Sequence, residues 1–385
     1  MSFICKKFSQ KLPPEFIELK KEIKKAIKKR KNEMPFHLLS NPEKEIIERI
    51  REQTGKLNAN NVTRTSAYFD MYLRYPNLHW AFLGHMVSRN GGWNMTDLKG
   101  ELISRLLSEK EQNDFFSFLE RGNWLIFQDV YPQFLIYEES VNSGSSLFHL
   151  LSYFGVSVFM EGVWNRYLEK RDDKLLAIAL VINEQTYLEK RVIQNFNFLK
   201  HIIFSFEFQL QDLLGLNQVL FPYLKNEKEV GLIGETIHHF AFLSERISLG
   251  KRLYSLLFEN EEMLKKVVHW AEKHPHTGSR KDFFPHVFND VKELPPGKKY
   301  VKKLNNCTLQ KNAAKLYSPQ LKDSWQNAAH APAEKGDWFA DFKILKELAD
   351  FEEKGNGEIE NDYCETLEKL EIAIITKEAV FRKEA

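Results

Sequence analysis

Residues 61–100 read NVTRTSAYFDMYLRYPNLHWAFLGHMVSRNGGWNMTDLKG, and their apolar side chains recur at the three- and four-residue spacing of helices. The pair Gly91-Gly92 is expected to end one helix after Asn90, and Thr96 can cap the next. Histidine, arginine and tryptophan are also concentrated here, more densely than a helical core requires. The stretch therefore predicts helices and a candidate site together.

Helical spacing continues well beyond this stretch. A single proline, Pro132, interrupts residues 77–221, and no strand pattern with turn residues is visible there. A last strong helical block is expected from about residue 233 to about residue 273. The predicted fold class is all-α, an irregular multi-helix bundle of about ten helices across residues 60–290 with an extended C-terminal wrapping segment.

Composition divides the chain into four regions. Residues 1–34 carry 11 Lys and Arg against 4 Glu, and residues 347–385 carry 5 Lys and Arg against 12 Asp and Glu. Two oppositely charged ends can attract one another, or each can recruit its own partner. The predicted regions are a basic N-terminal helical arm (1–57), a helical core domain (58–290), an irregular Pro/aromatic wrapping segment (291–346) and an acidic C-terminal helical tail (347–385).

Bulk composition is that of an ordinary globular protein, with 43% hydrophobic and 28% charged residues over 385 positions. No apolar run reaches the roughly 20 residues that a bilayer span needs, and the N-terminus lacks the apolar core of a signal peptide. Cys5, Cys307 and Cys364 are odd in number and far apart, which indicates no closed disulfide framework and favours a reducing compartment. The expected location is cytoplasmic, and peripheral at the membrane if the basic helix binds lipid.

Residues 15–31 form a basic amphipathic helix in this prediction. Phe16, Leu19, Ile23 and Ile27 lie on one stripe, and lysines occupy the other faces. Such a helix either docks its stripe on the main body or makes weak, reversible contact with an anionic membrane surface. It has almost no interleaved aromatic residues for base stacking, so no specific nucleic-acid binding is indicated.

A first cluster of side chains that could catalyse a reaction or bind a ligand lies in residues 61–100. His85 and Arg89 are four residues apart and share a helical face, and the glycine turn is expected to bring Asp97 back toward Arg89. One interpretation is a ligand-binding or catalytic site at a glycine-fixed loop. The other is an Arg–Asp pair with helix caps that hold a buried turn. The candidate catalytic residues are His79, His85, Arg89 and Asp97, and the ligand-binding candidates here are Arg64, Asn90, Trp93 and Thr96.

A second cluster is HPHTGSRKD, residues 274–282. Gly278 frees backbone N–H groups and Arg280 offers the fork geometry that clamps an anion. The alternative is a loop that stops a helix and is ended by Pro275 and Pro285. The longer glycine pattern of known phosphate-binding loops is missing. The candidates for binding a small polar or anionic ligand are His276, Ser279, Arg280 and Asp282.

Glutamates that interrupt apolar helical runs define a third candidate, a carboxylate-bridged metal site. Glu235 and His238 supply one Glu-x-x-His pair, whereas helical bundles that hold two metals use two such pairs. Each glutamate can instead face solvent or pair with an arginine. No metal ligand is assigned on this pattern, and the sequence identifies no cofactor. The glutamates concerned are Glu138, Glu161, Glu184 and Glu207.

Several blocks of the chain resemble one protein family. The longest is residues 63–100, and others are QDVYPQFLIYEES (128–140), FGVSVFMEGVW (154–164) and HPHTGSRKDFFPHVF (274–288). They resemble an uncharacterised family of Bacillus-type proteins that includes YppC. The resemblance implies an all-helical domain and supplies no reaction, ligand or cofactor.

Two hypotheses for function remain open. The first is a cytoplasmic helical scaffold or small-ligand-binding protein, and the second is an enzyme that acts on a small polar or anionic substrate through the His/Arg/Asp cluster. The glycine and metal motifs of hydrolases, nucleotide-binding folds and zinc sites are missing. The two hypotheses differ in geometry, because only a ligand or catalytic site requires the first and second clusters to converge in one cleft.

Overall fold

The computed structural model describes residues 13–194, 217–226, 229–237, 239–293, 299–349 and 354–381. This part of the chain is mostly helical with three small two-stranded sheets, which confirms the predicted fold class. No helix within it is long and apolar enough to cross a bilayer. The helices are α1 (Pro14–Arg30), α2 (Asn41–Leu57), α3 (Asn61–Arg74), α4 (His79–Asp97), α5 (Ile103–Leu106), α6 (Glu109–Ser143), α7 (Val158–Lys170), α8 (Asp173–Leu188), α9 (Leu243–Phe258), α10 (Glu261–Lys273), α11 (Leu321–Ser324), α12 (Leu345–Ala349) and α13 (Glu360–Phe381). The strands are β1 (Gln218–Leu224), β2 (Val230–Thr236), β3 (Phe288–Asn289), β4 (Leu304–Asn305), β5 (Thr308–Leu309) and β6 (Leu316–Tyr317).

Side-chain caps fix the beginnings of the helices around the core. Asn60 and Thr63 form a reciprocal cap at the start of α3, and Ser108 and Glu111 form a capping box at the start of α6. Helix α6 ends at Gly144, whose φ of 66° is the left-handed conformation that glycine adopts without strain. These ends are therefore specified by the local sequence.

Helix α4 runs without a break through Gly91 and Gly92, so the predicted helix end after Asn90 is wrong. The reason lies in tertiary packing. A Cβ atom on Gly92 would overlap Asn61 Oδ1 and His276 Nε2. The glycine is needed because two polar side chains meet against the helix surface at this point, rather than because the helix ends there.

The hairpin β1–β2 replaces the start of the helical block predicted from about residue 233, and that part of the prediction is wrong. The strands are antiparallel, with Leu220 opposite Gly234. Asn90 ties β1 to α4, since its Nδ2 donates to Leu220 O and its Oδ1 accepts from Leu220 N, each at 2.8 Å. Strand formation here depends on a partner strand and a partner helix, which local spacing does not reveal.

Helix α1 packs against α7. Phe16, Leu19 and Ile23 are buried in the main hydrophobic core, and a Cβ on Gly162 of α7 would overlap Ile23. Of the two alternatives for the basic helix, the structure shows the stripe docked on the body. Contact with an anionic membrane and the division into four regions stay predictions.

The segment between the last bundle helix and the acidic tail is irregular and held by aromatic anchors, as predicted. Trp325 stacks on Phe116 of α6 with ring centroids 4.0 Å apart. Trp338 Nε1 donates to Asn183 Oδ1 of α8 at 2.8 Å. The segment therefore lies across the bundle, in contact with α6 and α8.

The acidic helix α13 pairs with residues 300–306. Glu371 of α13 is fully buried and accepts three hydrogen bonds, from Tyr300 Oη at 2.8 Å, Lys303 N at 2.6 Å and Leu304 N at 3.1 Å. A buried carboxylate is tolerated when its oxygens are satisfied in this way. The acidic tail is thus part of the packed molecule.

Cys307 and Cys364 form a disulfide, with their Cα atoms 5.1 Å apart. The expectation that the cysteines build no disulfide framework is therefore wrong for this pair. The two residues are 57 positions apart, and the packing of α13 against the β4–β5 turn brings them together. Because disulfides persist in oxidising surroundings, the cysteines no longer support a reducing compartment. Cys5 lies outside the described residues.

Candidate functional site

His85 lies at the centre of the first predicted cluster and is fully engaged. Its Nδ1 donates to the carbonyl of Thr65 at 2.8 Å, so its Nε2 accepts from Arg89 Nε at 3.0 Å. Burial, with the neighbouring Arg89 charge, holds the pKa of His85 well below its ordinary value. The imidazole is therefore neutral, with both ring nitrogens in use.

Arg89 closes the end of helix α10. It is 1% exposed, donates to the carbonyl of His274 at 2.5 Å and lies 4.7 Å from the ring centroid of Trp270. Burial lowers the pKa of Arg89 to about 10. A cation at a helix C-terminus is favourable because the last carbonyls carry partial negative charge. The guanidinium is positioned to hold α10 against α4.

Asp97 pairs with Arg280 and not with Arg89, so the expected Arg89–Asp97 pair is wrong. Arg280 Nε and one of its terminal nitrogens each lie 2.7 Å from Asp97 Oδ2. The Asp97 pairing holds the pKa of Arg280 above its ordinary range, although burial opposes it. Asn94 Oδ1 accepts a further bond from Arg280 at 3.1 Å. This pair joins the end of α4 to the 274–282 loop.

The rest of the second cluster docks on α3 and α4. His276 Nε2 donates to Asn61 Oδ1 at 2.9 Å, and its Nδ1 lies 3.5 Å from Asp282 Oδ2. Trp93 packs against the ring of Phe283 at 4.7 Å and its Nε1 lies 3.5 Å from Asp282. The neighbouring His276 and hydrogen bonds from Thr277 hold the pKa of Asp282 below its ordinary value, although burial opposes them.

Two hydroxyl groups complete the docking of the loop. Thr96 Oγ1 donates to Gly278 O at 2.6 Å, and Ser279 Oγ donates to Ser318 O at 2.6 Å. Both side chains are 0–1% exposed. The two hydroxyl groups therefore hold the loop to α4 and to Ser318 through backbone carbonyls.

The two predicted clusters thus converge in a tightly packed network. Their side chains bond to one another and to backbone carbonyls, while His276 Nδ1 and one terminal nitrogen each of Arg89 and Arg280 have no hydrogen-bond partner. The cavity beside Asp97 and Arg280 measures about 30 Å³, room for a single water. His79 lies apart, with Nδ1 2.9 Å from Tyr254 Oη and its ring stacked on Phe258 at 4.2 Å. This geometry favours a structural role for the clusters, and their assignment as site residues stays a prediction.

The glutamates proposed as metal ligands are dispersed. Glu138 pairs with Arg74, and Glu161 pairs with Arg30 at 2.7 Å. Glu207 and His238 lie outside the described residues. Over the rest of the chain, no group of three or more His, Cys, Asp or Glu side chains is placed to hold a metal ion.

Arg64 has a different position from the other predicted site residues. It is 1% exposed and pairs with Glu120 of α6 at 2.5 Å, while its Nε has no hydrogen-bond partner. Arg64 also lines a cavity of about 110 Å³ enclosed by α3, α4, α6, α8, α9 and β1. We call this the apolar cavity. Its apolar lining includes Tyr68, Trp80, Leu83, Val181, Leu249 and Leu253.

Glu184 is the second polar group of interest in the apolar cavity. Burial raises its pKa to about 8, and hydrogen bonds from Gln185 and Trp80 offset this only in part. The sequence identified Glu184 as an acid within an apolar helical run, which was the available signal, but considered it only as one member of a possible metal site. The aliphatic lining gave no signal, because its spacing is that of any core.

Two larger grooves are open to solvent. One, of about 810 Å³, lies between β2, α9 and residues 354–362, and the other, of about 580 Å³, is lined by lysines between residues 292 and 315. Each borders a segment outside the described residues, 350–353 and 294–298 respectively.

Sequence comparisons relate the chain to one protein family. Residues 56–364 match a family described as "Protein of unknown function (DUF2515)". The chain is 43% identical over 239 residues to the "Uncharacterized protein YppC" of Bacillus subtilis (strain 168), an alignment that covers 62% of this chain and 73% of that protein. No solved structure matches the chain. Because the family model spans α3 through the first part of α13, and with them the apolar cavity and both predicted clusters, the chain belongs to the DUF2515 family.

Proposed function

We propose that this protein binds a small, mostly apolar molecule that carries one hydrogen-bond acceptor, and that the molecule occupies the apolar cavity. The observation that carries the proposal is a cavity of about 110 Å³ with a largely apolar lining and few polar groups. Ligand sites have this character in general, and a dry cavity of about 150 Å³ holds a molecule the size of benzene.

Two donors support an acceptor on the ligand. With a pKa of about 8, Glu184 is protonated at neutral pH and offers an O–H group. Arg64 Nε is a buried N–H donor without a partner, and such groups are rare unless water or a ligand satisfies them. A carbonyl or carboxylate oxygen could accept from either group.

The enzyme hypothesis has less support. Apart from His79, which bonds to the hydroxyl of Tyr254, the histidines, arginines and aspartates that it requires are bonded to one another or to backbone carbonyls, for example His85 to Thr65 and Arg89 to His274. A general base needs reach to a substrate proton, and these groups are closed off. Binding is therefore the better proposal.

The test uses a matched pair of probes. Cyclopentanone carries a carbonyl acceptor, and methylcyclopentane has the same number of heavy atoms without one. Ligand-observed NMR titration is expected to show saturable cyclopentanone binding, about 2- to 10-fold tighter than methylcyclopentane because of the extra hydrogen bond. Leu249→Trp fills the cavity and should abolish binding, whereas Leu256→Trp, on the same helix and outside the cavity lining, should not.

The pH dependence identifies the donor. Raising the pH through about 8 ionises Glu184 and removes its O–H group, so binding of cyclopentanone should weaken in the wild type. Glu184→Gln keeps an N–H donor, and its binding should stay level across the same range. Equal binding by the wild type and Leu249→Trp would show that the probe sits elsewhere and would overturn the proposal.

A further inference from the structure

Helix α1 presents a line of lysines on the face opposite its docked side. Lys21, Lys24 and Lys28 lie on the helix, and Lys31 follows as its C-cap residue in helical conformation. We call these four residues the lysine row. All four are exposed, and at 3.6 residues per turn they share one narrow arc of the helix surface. The opposite arc packs on α7, so docking of the helix fixes the lysine row outward.

The positive charge of the lysine row is not compensated by neighbouring carboxylates. Two acidic side chains of α1 lie off the row and have other partners. Glu18 pairs with Arg166 at 2.9 Å, and Glu22 pairs with Lys25 at 2.6 Å. Within the part of the chain that the structure describes, no lysine of the row forms an ion pair. The outer face of α1 therefore keeps an excess of positive charge.

Further lysines widen this charged surface. Lys25 and Lys29 are exposed beside the row, and Lys20 lies on its other side, 5.0 Å from the ring centroid of Phe342. The described α1 face thus presents at least six lysines over a length of about 20 Å, since a helix rises about 1.5 Å per residue. Clusters of four to eight basic residues on an amphipathic helix are typical of binding to anionic lipid headgroups.

Exposed aliphatic side chains lie at both ends of the lysine row. Ile17 shares its arc one turn before Lys21, and Met34 and Leu38 follow in the residues between α1 and α2. These three side chains are 47–57% exposed. Basic side chains bordered by exposed apolar ones are characteristic of a surface that lies against a membrane.

The same features argue against nucleic acid as the partner. Proteins that bind single strands without sequence preference combine basic side chains with aromatic rings on which bases stack. The exposed side chains at the ends of the lysine row are aliphatic, and aliphatic groups enter the boundary between lipid headgroups and acyl chains. The lysine row therefore fits a lipid surface better.

We propose that the lysine row docks the protein reversibly on an anionic lipid surface, with α1 lying along that surface. The buried side of α1 stays packed on α7, so binding depends on charge and on the few exposed aliphatic groups, and salt weakens it. This interaction is independent of the ligand proposed for the apolar cavity.

Co-sedimentation of the full chain with lipid vesicles tests the proposal. The vesicles contain phosphatidylcholine and phosphatidylglycerol in equal parts, and vesicles of phosphatidylcholine alone are the neutral reference. We expect binding to the anionic vesicles only. It should occur at about 0.1 M salt, where the Debye length is about 10 Å, and disappear at about 1 M salt, where that length is about 3 Å.

A quadruple variant identifies the surface that binds. It replaces the lysine row by glutamine, as Lys21→Gln, Lys24→Gln, Lys28→Gln and Lys31→Gln. We expect vesicle binding to weaken about tenfold or more, because each lysine near an anionic surface contributes a severalfold gain. Glutamine keeps nearly the helix propensity of lysine, and circular dichroism checks the fold.

The matched control removes the same amount of charge from four other helices. It replaces the exposed Lys56, Lys110, Lys265 and Lys322 by glutamine. We expect this control to bind anionic vesicles at least about fivefold more tightly than the lysine-row variant. An equal loss in both variants would show that net charge alone matters and would overturn the proposal.

Two further results would overturn it. One is no binding to anionic vesicles at low salt, and the other is equal binding to neutral vesicles. Salt-sensitive binding to an oligonucleotide in the absence of vesicle binding would identify nucleic acid as the partner instead. If the lysine-row variant does not fold, the single change Lys24→Glu replaces it. Leu249→Trp should bind vesicles like the wild type, so failure at this surface is distinguishable from failure at the apolar cavity.

Discussion

At the scale of single residues, buried polar side chains in this protein join several helices at once. Asp129 of α6 accepts from Asn183 of α8 at 2.5 Å and from Gln133 at 3.0 Å. Asn183 in turn accepts from Trp338 at 2.8 Å, and Gln133 accepts from Trp164 of α7 at 2.8 Å. One carboxyl group therefore organises three helices and the wrapping segment, because each partner of a buried polar group must itself be satisfied.

Asp129 also predicts a pH dependence of stability. Burial raises its pKa from 3.8 to about 7, so the folded state keeps a proton that the unfolded state has already lost above about pH 4. Stability is full below pH 4 and falls as the pH rises through 7. Asp129→Asn cannot ionise, and the loss in free energy of unfolding between pH 5 and pH 8 should shrink by about 2–3 kcal/mol.

The measurement is urea unfolding at both pH values. Asp114→Asn serves as the control, because Asp114 forms an exposed i,i+4 pair with Lys110, and it should keep the wild-type pH profile. Identical profiles for Asp129→Asn and the wild type would show that Asp129 ionises normally in the folded protein.

At the scale of elements, α4 connects several parts of the described structure. One side of it meets β1 through Asn90, and another meets the 274–282 loop through Thr96 and Asp97. The local sequence predicts a helix end at its glycine pair, yet the helix continues. Gly92 is present because Asn61 and a neighbouring loop approach the helix backbone at that point. Close approach rather than flexibility explains this glycine.

Two glycine substitutions on different helices test whether Gly92 is required by close packing or by backbone flexibility. Gly92→Ala should lower the free energy of unfolding by roughly 1–3 kcal/mol, because the added methyl group collides with Asn61 and His276. Gly122→Ala on α6 meets no atom within 4 Å and should raise stability by up to about 1 kcal/mol through reduced freedom of the unfolded chain. Thermal unfolding of both variants measures these changes in stability. A Gly92→Ala variant that is more stable than the wild type would contradict the close packing at Gly92.

At the scale of the whole molecule, the described parts of both charged ends, α1 and α13, are packed on the body. Glu161 of α7 pairs with Arg30 of α1 at 2.7 Å, and Glu371 of α13 accepts hydrogen bonds from residues 300–304. These two contacts of the charged ends thus go to separate partners on the main body.

The disulfide gives a prediction at the same scale. Joining Cys307 to Cys364 closes a loop with a sequence separation of 57 residues, and the entropy that it removes from the unfolded chain amounts to about 4 kcal/mol of stability. Reduction should lower the denaturation midpoint of the oxidised protein, whereas the double variant Cys307→Ser/Cys364→Ser should not respond to reductant. Alkylation before reduction should label Cys5 alone, and labelling of all three cysteines would contradict the pairing.

The sequence by itself determined the helical class and many of the helix ends. Apolar spacing predicts long helices, and caps such as Ser108 with Glu111 act within one turn, so no distant partner is needed to define them. The aromatic anchors of the wrapping segment, Trp325 and Trp338, were likewise visible, because large rings in a proline-rich stretch need a surface to cover.

Only the tertiary structure decided which polar groups meet. Asp97 pairs with Arg280, which is 183 residues away, and not with the nearby Arg89. Strand β1 forms because Asn90 and β2 complete its hydrogen bonds. The apolar cavity is assembled from five helices and a strand, and no single segment carries its pattern. Pairings of this kind depend on the three-dimensional arrangement of distant segments, whereas helical periodicity is set by neighbours along the chain.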